Sequence, residues 1–147
     1  QIGGFYSGDG NIIAYNGGGG VQVLTESGNT IIGNSMYRNR RWGIRLEDGA
    51  NGSISAPETT RIGSFTVRGT TCPGCTVDIF ADKEDQGRVF EGRSRADGAG
   101  SFEFTLTGWR SRPCVTSTAT DGDGNTSEFS EPTCVPQRRE VGRRVGT

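Results

Sequence analysis

The first fifty residues alternate short apolar segments with Asn/Gly corners, and the alternation repeats. Gly10-Asn11-Ile12-Ile13-Ala14-Tyr15-Asn16 returns as Gly33-Asn34-Ser35-Met36-Tyr37-Arg38-Asn39, and Gly20-Val21-Gln22-Val23 returns as Gly43-Ile44-Arg45-Leu46, all at an offset of 23 residues. Segments this short and this rich in glycine do not make helices. A period in the low twenties with two or three tiny strands predicts a solenoid of parallel strands, here about two coils over residues 1–55. Stacking at that offset sets Ile13 over Met36, Val21 over Ile44 and Val23 over Leu46 in inward columns. Gly20 and Gly43 are expected to turn the corners with a positive φ. Asn11 above Asn34, and Asn16 above Asn39, are placed to form amide ladders. A rung buries its apolar face only against the next, and roughly three are needed for stability. Two rungs therefore predict that something covers the first: upstream sequence or another protomer. The chain begins at Gln1, as expected of a processed or truncated product.

Residues 50–60 read as a linker or docking segment. Beyond them the period becomes two. Phe65 and Val67, Val77 and Ile79, Phe102, Phe104 and Leu106, Val115 and Ala119, and then Phe129 alternate with polar neighbours. Turn clusters at 70–74, 82–87, 96–100, 108–113 and 121–126 separate them. Six or seven short strands at this spacing predict a small antiparallel β-sandwich over 56–135, immunoglobulin-like in the broad sense. The whole is an all-β chain, with a basic tail at 136–147.

The hairpin around Gly124 also pairs the cysteines. It sets Ala119 opposite Phe129, both inward, and Cys114 opposite Cys134, both outward. A Cys114–Cys134 staple and a Cys72–Cys75 loop clip follow. The staple is worth on the order of 3 kcal/mol in the chain-entropy model. Disulfides imply an oxidising, extracellular location.

Composition narrows the function. Sixteen basic residues stand against 17 acidic, a net charge of −1, so a nucleic-acid partner held by bulk charge is not expected. No apolar run is long enough for a membrane span. Histidine is absent, which removes the commonest general base and metal ligand. Glu47-Asp48 would face opposite sides of a strand and make no glycosidase pair. The reading is of a protein that is not an enzyme.

The segments 33–39 and 42–46 resemble the last coils of secreted bacterial right-handed parallel β-helix repeat proteins. Val77-Asp78-Ile79-Phe80-Ala81-Asp82 and 118–130 resemble the Ig-like domain that often follows such a helix. The resemblance covers most of residues 1–134 and implies a secreted or cell-surface location.

Several residues are candidates for chemistry. Asp121, Asp123, Asn125 and Glu128 crowd one turn with oxygen ligands, as in a calcium loop, although Pro132 stands where an EF-hand has its bidentate Glu. The competing reading is a turn held by side-chain caps, with no cofactor. Arg38, Arg41, Trp42 and Arg45, with Trp109, could bind an acidic polysaccharide by bidentate contacts and ring stacking. Val141 and Val145 in the basic tail are candidates for docking on a neighbouring chain. The leading expectation is a non-catalytic structural or adhesive subunit of a cell surface, associating head to tail into an oligomer or filament. The rival is a carbohydrate-binding module or C-terminal fragment of a polysaccharide-active β-helix enzyme.

Overall fold

The computed structural model describes residues 1–63, 65–107 and 114–135, with Arg61 through its main chain alone. Trp109, Val141, Val145 and the basic tail lie outside the described residues. Strand makes up 42% of the chain and helix 3%, which settles the class as all-β.

Six short strands come first: β1 (Ile2–Gly3), β2 (Ile12–Ala14), β3 (Val21–Val23), β4 (Ile31–Ile32), β5 (Ser35–Tyr37) and β6 (Ile44–Leu46). They pair in parallel as β1–β4, β2–β5 and β3–β6, each a separate two-stranded sheet. Ile13 is in register with Met36, Val21 with Ile44 and Val23 with Leu46, the columns expected from the sequence offset. Each repeat holds three strands, one more than the matched apolar segments suggest. The extra pair sets Ile2 opposite Ile31 and so breaks the common offset. Residues 4–11 join β1 to β2 where residues 33–34 suffice between β4 and β5. That longer loop hides β1 from a fixed-period comparison.

The corners also differ from expectation. Gly20 and Gly43 are not among the residues with positive φ. Their role is spatial: a Cβ on Gly43 would lie 2.6 Å from the Phe129 ring, and one on Gly20 would lie 2.5 Å from the Gly43 carbonyl oxygen. Tyr15 (φ 60°) and Arg38 (φ 52°), each just before a ladder asparagine, take the left-handed conformation instead.

Residues 50–60 are not a loose linker. Ala50–Ser53 form a 3-10 turn with Ala50 and Asn51 fully buried, and Glu58 opens the next strand. Seven antiparallel strands follow: β7 (Glu58–Ile62), β8 (Thr66–Thr70), β9 (Thr76–Ala81), β10 (Val89–Arg95), β11 (Ser101–Thr105), β12 (Cys114–Thr120) and β13 (Thr133–Cys134). They form two sheets, ordered β11-β8-β7 and β10-β9-β12-β13. Val67 and Phe102 from the first meet Val77, Ile79 and Val115 from the second in one apolar cluster. Phe65 is not part of it and stays half exposed.

Both disulfides form as expected, Cys72–Cys75 and Cys114–Cys134, the second between residues in register on β12 and β13. Nearer the turn the pairing slips. The Ser127 N–H donates to the Ala119 carbonyl, and the Ser130 N–H to that of Ser117. The hydroxyls of Ser127 and Ser130 accept the β12 N–H groups of Ala119 and Ser117. These serines replace a regular strand, so Ala119 does not face Phe129. Phe129 packs instead in a second cluster with Val23, Ile31, Met36, Ile44 and Phe80. Its ring meets Phe80 edge-on at 5.3 Å. Two aromatic side chains of the antiparallel part thus close one end of the parallel core.

Candidate functional site

The two ends of the parallel stack set up the chemistry. In a parallel pair, alternate residues turn their main-chain groups toward one neighbour or the other. In the second repeat, five N–H groups turned away from the first find acceptors in the antiparallel part. The Ile31 N–H donates to Thr126 Oγ1 (2.9 Å) and the Gly33 N–H to Asp78 Oδ2 (2.9 Å). The Met36 N–H reaches the Gly87 carbonyl (3.1 Å), that of Asn39 reaches Gln86 Oε1 (2.9 Å) and that of Leu46 reaches Glu128 Oε1 (2.9 Å). A strand edge left open is an adhesive surface. Here four side-chain oxygens and one carbonyl, on β9, its following loop and the 121–128 hairpin, close it.

Asparagines tie the repeats together. Asn34 Oδ1 accepts both the Asn11 N–H and Asn11 Nδ2, and Asn39 Oδ1 does the same for Asn16. A third rung of the same kind joins Asn29 to Asn51. Its spacing is 22 residues rather than 23, so the sequence offset does not reveal it. Asn51 and Asn125 both stand in glycosylation sequons, and both are buried and bonded, at 0% and 6% exposure.

Three of the four candidate calcium ligands, Asp121, Asn125 and Glu128, bond within the fold through their side chains. Asp121 Oδ1 accepts the N–H groups of Asp123 and Asn125, and Asp121 Oδ2 accepts Asn125 Nδ2. Asn125 Oδ1 turns to the Gly28 N–H at 2.6 Å, and Glu128 turns away to Leu46. Desolvation pushes the Asp121 carboxyl up, but the Asn125 side chain and the surrounding N–H groups outweigh it and hold the group below the usual carboxylate range. Among the described residues no group of three or more His, Cys, Asp or Glu side chains is placed to hold a metal ion.

Arg93 seals a corner of the junction. Its guanidinium forks onto Asp78, which is 1% exposed, and lies over the rings of Phe5 (4.9 Å) and Phe90 (5.4 Å).

The arginine candidates divide. Arg38 lies over Tyr15 at 5.7 Å, and Tyr15 meets Tyr37 edge-on at 5.6 Å. Arg45 sits on β6, within 4.0 Å of Glu47 and Glu128, and faces a different sheet. Trp42 is half-buried: its indole covers Gly19, its N–H has no acceptor among the described residues, and Arg41 lies over the ring at 5.7 Å. Two residues that sequence reading left out of the site join Arg38: Tyr15, and Arg88, which lies over Tyr37 at 5.1 Å. Only a shared offset of Tyr15 with Arg38 could have pointed to the first.

The chain matches no protein-family model and no curated protein. Two disulfides fit an oxidising, extracellular environment, and among the described residues no helix is long and apolar enough to cross a membrane.

Proposed function

We propose that the chain is a non-catalytic structural or adhesive protein of an extracellular surface. It is built as the closed end of a short parallel β-helix, finished by an Ig-like β-sandwich. The parallel pairs, the three asparagine rungs and the two facing antiparallel sheets support this architecture.

The observation that carries the functional reading is the inequality of the two ends. Ile13, Val21 and Val23 turn their main-chain groups to the second repeat, which leaves those of Ile12, Ala14 and Gln22 facing away from it. No described residue accepts from them. Ile12 and Leu24 on the same repeat are 74% and 63% exposed. Such an edge takes up another strand of like register. A second copy of the chain supplies it. The opposite end of the stack is occupied by the chain's own antiparallel part, so contact through the open repeat alone pairs two copies and closes. Head-to-tail growth would need a further surface.

Light scattering after size exclusion tests this over a range of concentrations. The expected mass is twice that of the chain, falling to the single chain in Ile12→Lys, whose charge blocks the edge without touching the core. A wild-type chain that stays folded and monomeric at high concentration overturns the reading. Masses beyond the pair that survive Ile12→Lys would move assembly to another surface.

A further inference from the structure

Beside the open edge runs a second face, which shares Ile12 with it. It starts at a shallow concavity of about 370 Å³ between the 4–10 loop, Ile12, Ser35 and Phe90. Tyr6 at its rim is 82% exposed. From there it passes over Arg88, whose carbonyl accepts the Ser35 hydroxyl, to Tyr37, Tyr15 and Arg38. Aromatic rings and guanidinium groups line it, drawn from both the parallel and the antiparallel parts.

We propose that this face binds an acidic polysaccharide, a linear polymer of uronate or similarly charged sugars. Three observations carry it. First, neither Arg38 nor Arg88 has a carboxylate within ion-pair distance among the described residues, whereas Arg45, Arg68 and Arg93 do. Two exposed guanidinium groups thus keep their forked donors for an outside anion, and the fork matches a carboxylate. Second, each of the two stands against a tyrosine ring, and such rings stack on the apolar faces of sugars. Tyr15 is 66% exposed for that purpose. Third, Tyr15 and Arg38 both occupy left-handed backbone, where glycine would cost less. A tyrosine and an arginine stand at these corners although glycine would strain the backbone less, and their ring and guanidinium contacts lie at the surface and not in the core. A ligand gains both. The net charge of −1 and the location implied by the disulfides favour a surface glycan over a nucleic acid.

Affinity electrophoresis and titration calorimetry with polygalacturonate, dextran and an oligothymidylate test the proposal on the full chain. Binding to polygalacturonate is expected, weakening as salt rises. Arg38→Ala and Arg88→Ala should each weaken it about tenfold, while Arg68→Ala, on the antiparallel sheet, leaves it unchanged. Tyr15→Gly should weaken binding without lowering the melting temperature, because it relieves the corner; a residue of structural role alone would lower the melting temperature and leave binding intact. If Arg38→Ala fails to fold, Arg88→Ala decides. No binding to polygalacturonate, equal binding to dextran or to the oligothymidylate, or wild-type affinity in both arginine variants overturns the assignment.

Discussion

Asn16 and Asn39 occupy equivalent corners of the two repeats, 23 residues apart, yet their surroundings have little in common. Asn39 is 5% exposed; its Oδ1 accepts from Asn16, its Nδ2 donates to the Ile13 carbonyl and Gln86 Oε1, and its own carbonyl accepts Gln86 Nε2. Asn16 is exposed; besides the ladder bonds, its carbonyl accepts the Arg40 N–H, and no described residue of the antiparallel part bonds to it. The same residue at the same point of the same repeat is a junction in one place and a rim in the other. A repeat therefore does not define its own energetics. What lies on its far side does, and on one side that is a set of oxygens and two phenylalanine rings contributed by a different kind of structure.

The sharpest way to break this contrast is to remove an oxygen from the closed end. Asp78 is buried, accepts the Gly33 N–H, and is forked by Arg93, whose side chain is 21% exposed. Asp78→Ala leaves the largely buried Arg93 guanidinium with only the Phe5 carbonyl, and the Gly33 N–H without its acceptor, and should cost about 3–5 kcal/mol in urea unfolding. Ile12→Ser at the open end should cost no more than about 0.5 kcal/mol, since that side chain is already in water. Equal losses in the two variants would show that the ends do not differ as described.

The asparagines give a matched pair of smaller size. Asn39→Ala removes an acceptor and two donations at a buried site, and should destabilise by about 2–3 kcal/mol. Asn16→Ala should cost about 1 kcal/mol or less, the worth of one net hydrogen bond near solvent. A ratio near one in thermal unfolding would mean that the ladder, and not the antiparallel part, supplies the stability of the corner.

Opening the Cys114–Cys134 bond probes how the closing hairpin itself is held. A Cys114→Ser, Cys134→Ser double variant frees a span of 20 residues that includes the 121–128 hairpin. The chain-entropy model gives a loss of about 3 kcal/mol. If the hairpin owes its place to the cysteines, the amide of Leu46, bonded to Glu128, should also lose hydrogen-exchange protection. If protection there is unchanged, the bonds to the second repeat hold the hairpin unaided.

The columns of the parallel part and the cysteine pairing are legible in the sequence because each depends on local spacing alone. Matched residues at a constant offset can stack only one way, and the hairpin brings Cys114 and Cys134 together although its register slips nearer the turn. The rest depends on partners distant in the chain. Nothing near Phe129 distinguishes an inward strand residue from a plug for another core, since the serines that take over β12's hydrogen bonds are ordinary turn residues on their own. Gly43 reads as a turn glycine, but it makes room for that plug. The candidate site was legible in residue type and not in grouping. Arg38 and Arg45 are close in sequence, yet one stands at the corner after β5 and the other on β6, while Arg88, far from Arg38 in sequence, reaches the same face. The three-residue strands, with side chains alternating in and out, separate neighbours that composition groups together.

The smallest effect concerns Asp121, where the calcium reading and the turn-cap reading diverge. In the folded chain the carboxylate accepts N–H donors from Asp123 and Asn125, and its pKa lies below the ordinary value. A depressed folded pKa contributes stability that is present above the unfolded pKa and is lost as pH falls through the folded one. Melting curves of the wild type and Asp121→Asn should therefore differ at neutral pH and converge on acidification below the usual carboxylate range. The neutral difference should be about 0.5 kcal/mol, because solvent screens a group this close to the surface. Adding a chelator at neutral pH separates the two partners of that carboxylate. If N–H donors are its partners, the melting temperature does not move, and the acid limb looks the same with or without calcium. If calcium raises the wild-type melting temperature and leaves Asp121→Asn unchanged, the oxygens serve an ion, and the closed end of the stack is then set by metal as well as by hydrogen bonds.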